Sequence, residues 1–283
     1  MTNFFASEPV ALAEIDVPVF RILGRNPGPM TGPGTNSYLI GKEQLSLLDP
    51  GPRDLVQLQC FLRLIGKRKL RYILLTHTHG DHSPGAIPLA EATGAELVGM
   101  SAPDAPGQDQ SFKPSRQWQH GDCLELGEYT LELVHTPGHV SNHICYLLRP
   151  DQLLFTGDHV LQGTTSVILP PDGNMSDYLN SLRLLQDIDL RYLAPGHGSL
   201  MSNPRKEIEG LIKHRMRREN KIVSVLSSLG NSTLDELVKD AYDDVSAHLI
   251  PWAKKTLLAH LIKLQKDGRA IEENTRWRLT ESA

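Results

Sequence analysis

The chain has few cysteines and no long hydrophobic run, and both absences exclude classes of protein. Its three cysteines, Cys60, Cys123 and Cys145, are far apart and odd in number, so they predict neither a disulfide framework nor a cysteine zinc finger. No run of about 18 apolar residues occurs, and we therefore expect no transmembrane helix and no membrane partner. The N-terminal segment lacks a basic stretch followed by an apolar core, so no secretory signal is predicted. These features favour a cytoplasmic protein.

Charge of one sign does not dominate the sequence either. The net charge is −4, but residues 204–283 carry 15 Lys and Arg against 12 Asp and Glu, which leaves the rest of the chain at −7. A basic C-terminal segment beside an acidic larger one is compatible with nucleic-acid binding. An excess of this size is also ordinary for a soluble domain.

Two kinds of pattern divide the chain near residue 203, which predicts domains at 1–203 and 204–283. In the first domain, short β-type runs alternate with Gly/Pro-rich loops and helical stretches, and this alternation predicts an α/β sandwich. The predicted strands are 37–40, 45–48, 72–75, 129–134, 143–148, 153–156 and 192–194, and the predicted helices are 55–65, 83–93 and 176–186.

The second domain has the pattern of helices followed by a hairpin. Asn203 and Pro204 are suited to begin a helix, which Gly230 ends. A capping box starts at Thr233, a further helix is predicted at 251–266, and residues 269–279 alternate about an Asn-Thr turn. This order predicts a small winged-helix-like C-terminal domain.

Histidines are concentrated in the stretch THTHGDH, residues 76–82, which follows an apolar run. An apolar run that feeds a Gly-containing turn with a His or Asp recurs three times further along the chain. Because strand ends are rigid, such turns can bring their side chains together at one edge of a sheet. The candidate ligands in these four turns are His77, His79, Asp81, His82, His139, Asp158 and His197.

Seven ligands are more than one tetrahedral metal needs. Two divalent ions that share a carboxylate and a bridging hydroxide would use them all, so the set predicts a dinuclear hydrolytic site. Imidazole and carboxylate ligands without thiolate favour Zn²⁺, with Mn²⁺ or Fe²⁺ as alternatives.

The four turns also resemble the ligand motifs of the metallo-β-lactamase superfamily, in the same order. THTHGDH is similar to its HxHxDH signature, and TPGH, TGD and PGHG are similar to the segments that follow. The resemblance covers about residues 18–200 and implies an αββα sandwich. It implies that the first metal is held by His77, His79 and His139, and the second by Asp81, His82 and His197, with Asp158 bridging.

A narrower resemblance concerns GTNSYLIG, TPGHVSNH and HRMRRENKI, which are similar to the beta-lactamase-like protein 2 group. In animal members of that group the resemblance implies a winged-helix-like tail and endoribonuclease activity on single-stranded RNA. The leading interpretation is therefore a phosphodiesterase that acts on RNA. The open alternatives are a small-molecule thioester, lactone or lactam hydrolase, or a non-catalytic nucleic-acid-binding module. The tail is alternatively a cover for the active site or a homodimer contact.

Four further residues are candidates for roles around the metals. Asp81 is predicted to be catalytic as well as a ligand, and His143 to contact a phosphate oxygen or protonate a leaving group. Asp49 either orients a ligand histidine or is a plain turn residue, and Asn36 is open to the same two interpretations. Lysines and arginines on the C-terminal helices are candidate phosphate contacts; they are Arg215, Arg217, Arg218, Lys221, Lys254, Lys255, Lys263 and Lys266.

Overall fold

A computed structural model describes residues 8–281 in two compact units. The first comprises 8–136, Asn142–Thr165 and Ile188–Pro204, and the second comprises Pro137–Ser141, Ser166–Asp187 and 205–281. Two segments that precede residue 203 thus belong to the second unit, and the predicted boundary at 203/204 stays a prediction. The secretory-signal prediction concerns a stretch whose first seven residues lie outside the described range. None of the helices within residues 8–281 is long and apolar enough to cross a membrane.

The first sheet of the first unit has six strands in sequence order. They are β1 Val10–Ala11, β2 Val19–Leu23, β3 Asn36–Ile40, β4 Gln44–Leu48, β5 Lys69–Leu74 and β6 Glu96–Val98. The pairings from β1 to β4 are antiparallel, whereas β4, β5 and β6 run parallel. Parallel neighbours need crossovers, which helices α1 (Leu55–Ile65) and α2 (Ala86–Thr93) supply.

Helix α1 shows how local sequence sets its limits. The side chain of Asp54 accepts hydrogen bonds from the backbone N–H groups of Val56 and Gln57, which caps the start of the helix. The helix ends at Gly66, whose φ of +59° favours glycine. Its inward face joins a core cluster with β3, β4 and β5.

The second sheet has five strands in the order β11-β10-β9-β8-β7. They are β7 Cys123–Glu125, β8 Thr130–His135, β9 Ile144–Arg149, β10 Leu153–Gly157 and β11 Tyr192–Pro195. Only β10 and β11 pair in parallel. The main core cluster combines residues of both sheets, and the rings of Tyr38 and Phe155 lie 5.0 Å apart across it. The predicted α/β sandwich is confirmed.

The second unit contains four helices and a small sheet. The helices are α3 Met175–Gln186, α4 Pro204–Leu229, α5 Leu234–Ala241 and α6 Ile250–Lys266, with a short 3-10 turn at Ala247–Leu249. The strands are β12 Ser232–Thr233, β13 Ala270–Glu273 and β14 Arg276–Leu279, in the order β12-β14-β13. The predicted capping box at Thr233 is present, and Asn274 and Thr275 form the hairpin turn with positive φ. The predicted winged-helix-like segment is confirmed.

Two buried polar contacts stabilise the second unit. The Glu219 carboxylate, 1% exposed, lies 3.1 Å from Lys263 Nζ, 3.3 Å from Arg269 Nη1 and 3.6 Å from His260 Nδ1. In α4, Arg215 donates to the carbonyl of Ser166 and lies 5.3 Å over the ring of Tyr178 in α3. Residues on both sides of position 203 therefore pack within this unit.

Candidate metal centre

The loop that carries THTHGDH is held by the buried carboxylate of Asp49, which follows β4. Its Oδ1 accepts a hydrogen bond from the Thr76 backbone N–H at 2.8 Å, and its Oδ2 accepts one from Thr76 Oγ1 at 2.7 Å. The same Oδ2 lies 2.9 Å from Nδ1 of His82. Asp49 therefore contacts His82 directly, as its interpretation as an orienting residue requires, while the assignment of His82 as a metal ligand stays a prediction.

These bonds determine which ring nitrogens carry protons. Because the carboxylate of Asp49 only accepts, Nδ1 of His82 carries a proton, and in the neutral ring Nε2 holds the lone pair. The Thr76 hydroxyl gives its proton to Asp49 and so accepts from Nδ1 of His77, 3.0 Å away. In His77, too, Nε2 is the nitrogen without a proton. One carboxylate thus sets two histidines for metal binding.

Four predicted ligands converge at the ends of β5, β10 and β11. Nε2 of His82 lies 3.5 Å from Oδ2 of Asp81 and 3.4 Å from Oδ1 of Asp158. Nε2 of His197 lies 3.2 Å and 3.5 Å from the same two oxygens. Nδ1 of His197 faces the carbonyl of Gly34 at 3.2 Å, so its proton is there and Nε2 again presents a lone pair.

The orphaned nitrogens at this centre are the observation that fits a cation. Nε2 of His82 and Nε2 of His197 are buried and make no hydrogen bond within the described residues, although buried polar atoms are normally satisfied. Two imidazole lone pairs beside two carboxylates are a donor set suited to Zn²⁺ and similar divalent ions. The ligand atoms of Asp81, His82 and His197 all lie within 4.8 Å of one another, as do those of His77, His82 and Asp158.

The other three predicted ligands are His77 and His79, which belong to the first unit, and His139, which belongs to the second. Nδ1 of His79 lies 3.0 Å from Nε2 of His77, so these nitrogens point at the same place. His139 belongs to the second unit, where its Nδ1 lies 2.6 Å from the carbonyl of Val167, which leaves Nε2 as the acceptor nitrogen of the ring. Its assignment to a metal with His77 and His79 stays a prediction.

The acidic groups dominate the electrostatics of the centre. Burial opposes the ionisation of Asp81, but the neighbouring His82 and His197 outweigh it and lower the pKa of Asp81 to about 2. Burial also opposes the charging of His82, yet the carboxylates of Asp81, Asp158 and Asp49 raise its pKa well above the usual value. The pKa of His197 is raised for the same reason against its own burial. Without a metal, these carboxylates therefore favour a second proton on the two rings, and a divalent ion bound at the Nε2 atoms would take the place of that proton.

His143 lies at this edge of the sheet but is fully buried. Its Nε2 accepts a hydrogen bond from the Asp158 backbone N–H at 3.2 Å, and its Nδ1 lies 2.9 Å from Thr136 Oγ1. Because Nε2 accepts, the ring proton is directed at Thr136. These contacts are those of a residue that positions Asp158, and the predicted role as proton donor to a substrate stays a prediction.

Two further residues shape the loop of His197. The side-chain amide of Asn36 donates to the carbonyls of Pro195 and Gly198, at 2.9 Å each, and so clamps both sides of that loop. Asn36 is therefore a buried strand residue that positions the loop of His197. This agrees with its interpretation as an orienting residue and not with that of a plain turn residue. Gly196 was not singled out from the sequence, although it stands in PGHG. A Cβ there would lie 2.7 Å from Oδ1 of Asp158, so only glycine leaves room for that carboxylate.

A two-sheet sandwich with histidine and carboxylate loops at one edge defines a class of metal-binding hydrolases. The chain belongs to the metallo-β-lactamase superfamily, whose family model matches residues 30–197. A second model, the beta-lactamase associated winged helix domain, matches residues 233–277. The chain is thus a hydrolytic enzyme with that fold and a C-terminal winged helix, as predicted.

Proteins with several different names are similar to this chain. The chain is 31% identical to a beta-lactamase-like protein 2 homolog of Drosophila melanogaster over 92% of its own length and 91% of the relative's. It is 35% identical to the atrochrysone carboxyl ACP thioesterase of Aspergillus fumigatus over 77% of its own length and 69% of the relative's. The crystal structure of a beta-lactamase domain protein from Burkholderia ambifaria has the same fold, with a TM-score of 0.78 at 18% identity and coverage of 93% and 91%.

Proposed function

We propose that the chain is a dinuclear metal hydrolase that cleaves acyl thioesters. The observation that carries the reaction class is the convergence of two buried imidazole rings and two carboxylates, with unsatisfied Nε2 atoms between them. We propose Zn²⁺ for both positions, with Mn²⁺ or Fe²⁺ as alternatives. Divalent ions bound there would lower the pKa of a coordinated water to about 7 and polarise the scissile group.

The residues of the chain supply the remaining parts of the mechanism. Asp81 is the more exposed of the two facing carboxylates, with 30% of its side chain accessible against 14% for Asp158. Its low pKa keeps it ionised at neutral pH, so it can accept a hydrogen bond from the attacking water and orient it. Asp49 and Asn36 keep the histidine loops in place, which preserves this geometry during turnover.

The charges of the second unit favour a thioester over RNA. Four of the eight lysines and arginines that were candidate phosphate contacts are paired with acids of the same unit; they are Arg218, Lys221, Lys254 and Lys263. Lys254 lies 2.6 Å from Asp235, Arg218 lies 2.9 Å from Asp244, and Lys221 pairs with Asp243. Paired cations release few counterions on binding a phosphate backbone, so they add little affinity for nucleic acid. The relative named as a carboxyl ACP thioesterase supports the same choice.

A second candidate substrate is single-stranded RNA, as in the leading interpretation of the sequence. It is supported by Trp252 on α6, which is 39% exposed and has the Lys255 ammonium 5.2 Å from its ring centroid. An exposed aromatic ring beside a cation suits base stacking with a phosphate contact. The match to the beta-lactamase-like protein 2 homolog along nearly the whole chain also supports it.

One experiment separates the two substrates. Zn²⁺-loaded protein is assayed with a panel of acyl thioesters and, in parallel, with a short fluorescent single-stranded RNA. We expect thioester turnover that falls by about 10²–10⁴-fold in Asp81→Ala and is retained in Asp104→Ala, a matched change on an exposed loop. If RNA is cleaved in a metal-dependent way that disappears in Asp81→Ala, and no thioester is turned over, the substrate is RNA and the thioester proposal is wrong.

A further inference from the structure

A separate cavity of about 190 Å³ lies in the first unit. Its apolar walls are the buried side chains of Trp118, Leu133 and Ile144, together with the half-buried Met100. The exposed Gln119 and His120 and the half-buried His135 complete its lining and open it to solvent. None of these residues belongs to the candidate metal centre.

Three hydrogen bonds connect the walls of this cavity to the histidine loop. The Ile144 backbone N–H donates to the carbonyl of Thr76 at 2.7 Å, immediately before His77. Asn142 donates to the carbonyl of Ser101 at 3.2 Å and to Oγ1 of Thr78 at 2.8 Å, which joins the residue after Met100 to the loop. The cavity is therefore adjacent to the loop that carries the predicted ligands.

Two hydrogen-bond donors border the apolar walls. Nε1 of Trp118 is buried and makes no hydrogen bond within residues 8–281, and such a donor requires an acceptor. Nδ1 of His120 accepts from the His135 backbone N–H at 3.3 Å, so the proton of the neutral ring is on Nε2. The guanidinium of Arg116 stacks 3.8 Å over the Trp118 ring and holds its plane.

We propose that this cavity is the subsite for the acyl group of the substrate, and that it takes one six-membered ring or a branched acyl group of similar size with a carbonyl-type acceptor. An apolar cavity of about 150 Å³ is enough to hold benzene, so the volume suits one ring. Apolar walls with a few placed polar groups are the usual composition of a small-molecule site. This inference rests on the proposed function for its substrate, but the cavity can be tested without turnover.

The first test measures binding alone. Acetophenone, a ring with a carbonyl acceptor, is titrated into the full-length protein labelled with ¹⁵N, and the indole signals of the three tryptophans are followed. We expect a saturable shift of the Trp118 signal, assigned by its loss in Trp118→Phe, while the Trp252 and Trp277 signals stay in place. An unchanged Trp118 signal up to the solubility limit of acetophenone overturns the subsite.

The second test measures selectivity. Met100→Phe narrows the cavity and Met100→Ala widens it, and Ile87→Phe is the matched control in a different surface cavity that includes Pro50 and Phe61. In Met100→Phe we expect the ratio of kcat/KM for benzoyl over acetyl thioester to fall about tenfold or more, the scale of apolar discrimination in a pocket. In Met100→Ala the benzoyl thioester should stay preferred over the acetyl thioester, and Ile87→Phe should leave the ratio of kcat/KM values unchanged.

The outcomes for the cavity and for the proposed function are distinguishable. Saturable acetophenone binding that Met100→Phe weakens, without thioester turnover, supports the cavity as a ring-binding site and removes the proposed substrate. Thioester turnover with equal acyl selectivity in Met100→Phe and the unsubstituted protein, and no acetophenone binding, supports the proposed function and overturns the subsite.

Discussion

Replacing Asp49 by asparagine should reverse the proton positions on two predicted metal ligands. Asparagine has the same shape, and its carbonyl oxygen must face the Thr76 backbone N–H that Oδ1 of Asp49 now faces. Its amide nitrogen then occupies the place of Oδ2 and donates to Nδ1 of His82, so the ring proton moves to Nε2. The Thr76 hydroxyl, no longer donating to a carboxylate, turns its proton to His77, with the same result.

The size of the effect follows from the fact that Asp49 orients two predicted ligand histidines. Removing one such orienting hydrogen bond from a ligand histidine typically costs about 10–100-fold in metal affinity, which is about 1.4–2.8 kcal/mol at 1.4 kcal/mol per factor of ten. Because two histidines change together, we expect Asp49→Asn to lie at the upper end of this range. The loss of hydrogen bonds to a buried charge should also lower the free energy of unfolding of the metal-free protein by about 1.5–3 kcal/mol.

The assay is competition for Zn²⁺ with a chromogenic chelator at pH 7.5, with folding checked by circular dichroism. The matched control is Asp54→Asn, which replaces a carboxylate of the same unit that caps α1 and does not contact a predicted ligand. This control should bind Zn²⁺ as the unsubstituted protein does. A folded Asp49→Asn protein with unchanged Zn²⁺ affinity would refute the assignment of proton positions.

Further predictions concern glycine and buried charge. Gly196→Ala should lower Zn²⁺ affinity at least about tenfold, because its Cβ would lie 2.8 Å from Cε1 of His82. In Gly210→Ala, by contrast, the added Cβ in α4 meets no atom within 4 Å. This variant should therefore be more stable by about 0.5–1 kcal/mol in urea unfolding. Glu219→Ala should destabilise by about 1.5–3 kcal/mol in the same assay, since Lys263 and Arg269 lose a buried charged acceptor while Lys263 keeps Asp267. Burial lowers the pKa of His260, so stability that is present above its unfolded pKa of about 6.5 is lost as the pH falls. His260→Gln should remove that part of the stability loss between about pH 7 and 5. An unchanged pH dependence of unfolding in this variant would contradict the lowered pKa of His260.

Elements with a strong local signal could be predicted from the sequence. Helix α1 occupies the predicted residues 55–65, because Asp54 caps one end and Gly66 stops the other. The strands that were missed include β1, β6, β7 and β12, each of two or three residues at the edge of its sheet. Such strands are defined by their pairing with a neighbour more than by their own sequence. Helix α2 begins at Ala86, later than the predicted residue 83, because Gly85 bonds to Gly51 in a turn.

The candidate site likewise has features that the sequence predicts and features that only the folded structure shows. The ligand types and their spacing are local properties of THTHGDH, TPGH, TGD and PGHG, so they could be named in advance. The hydrogen bonds that position them are long-range: Asn36 reaches Pro195 across 159 positions of the chain. The ion pairs of the C-terminal helices were missed for this reason too, since Lys254 meets Asp235 only after α5 and α6 have packed.

The course of the chain also limits how this architecture can be recombined. Helix α3 lies in the sequence between Asp158 and His197, yet its Tyr178 packs under Arg215 of α4 within the second unit. A chimera that exchanges only the residues after 204 with those of a relative would put a foreign side chain over that ring. The region that must be inherited together is therefore larger than the winged helix, and it includes a helix encoded inside the catalytic segment.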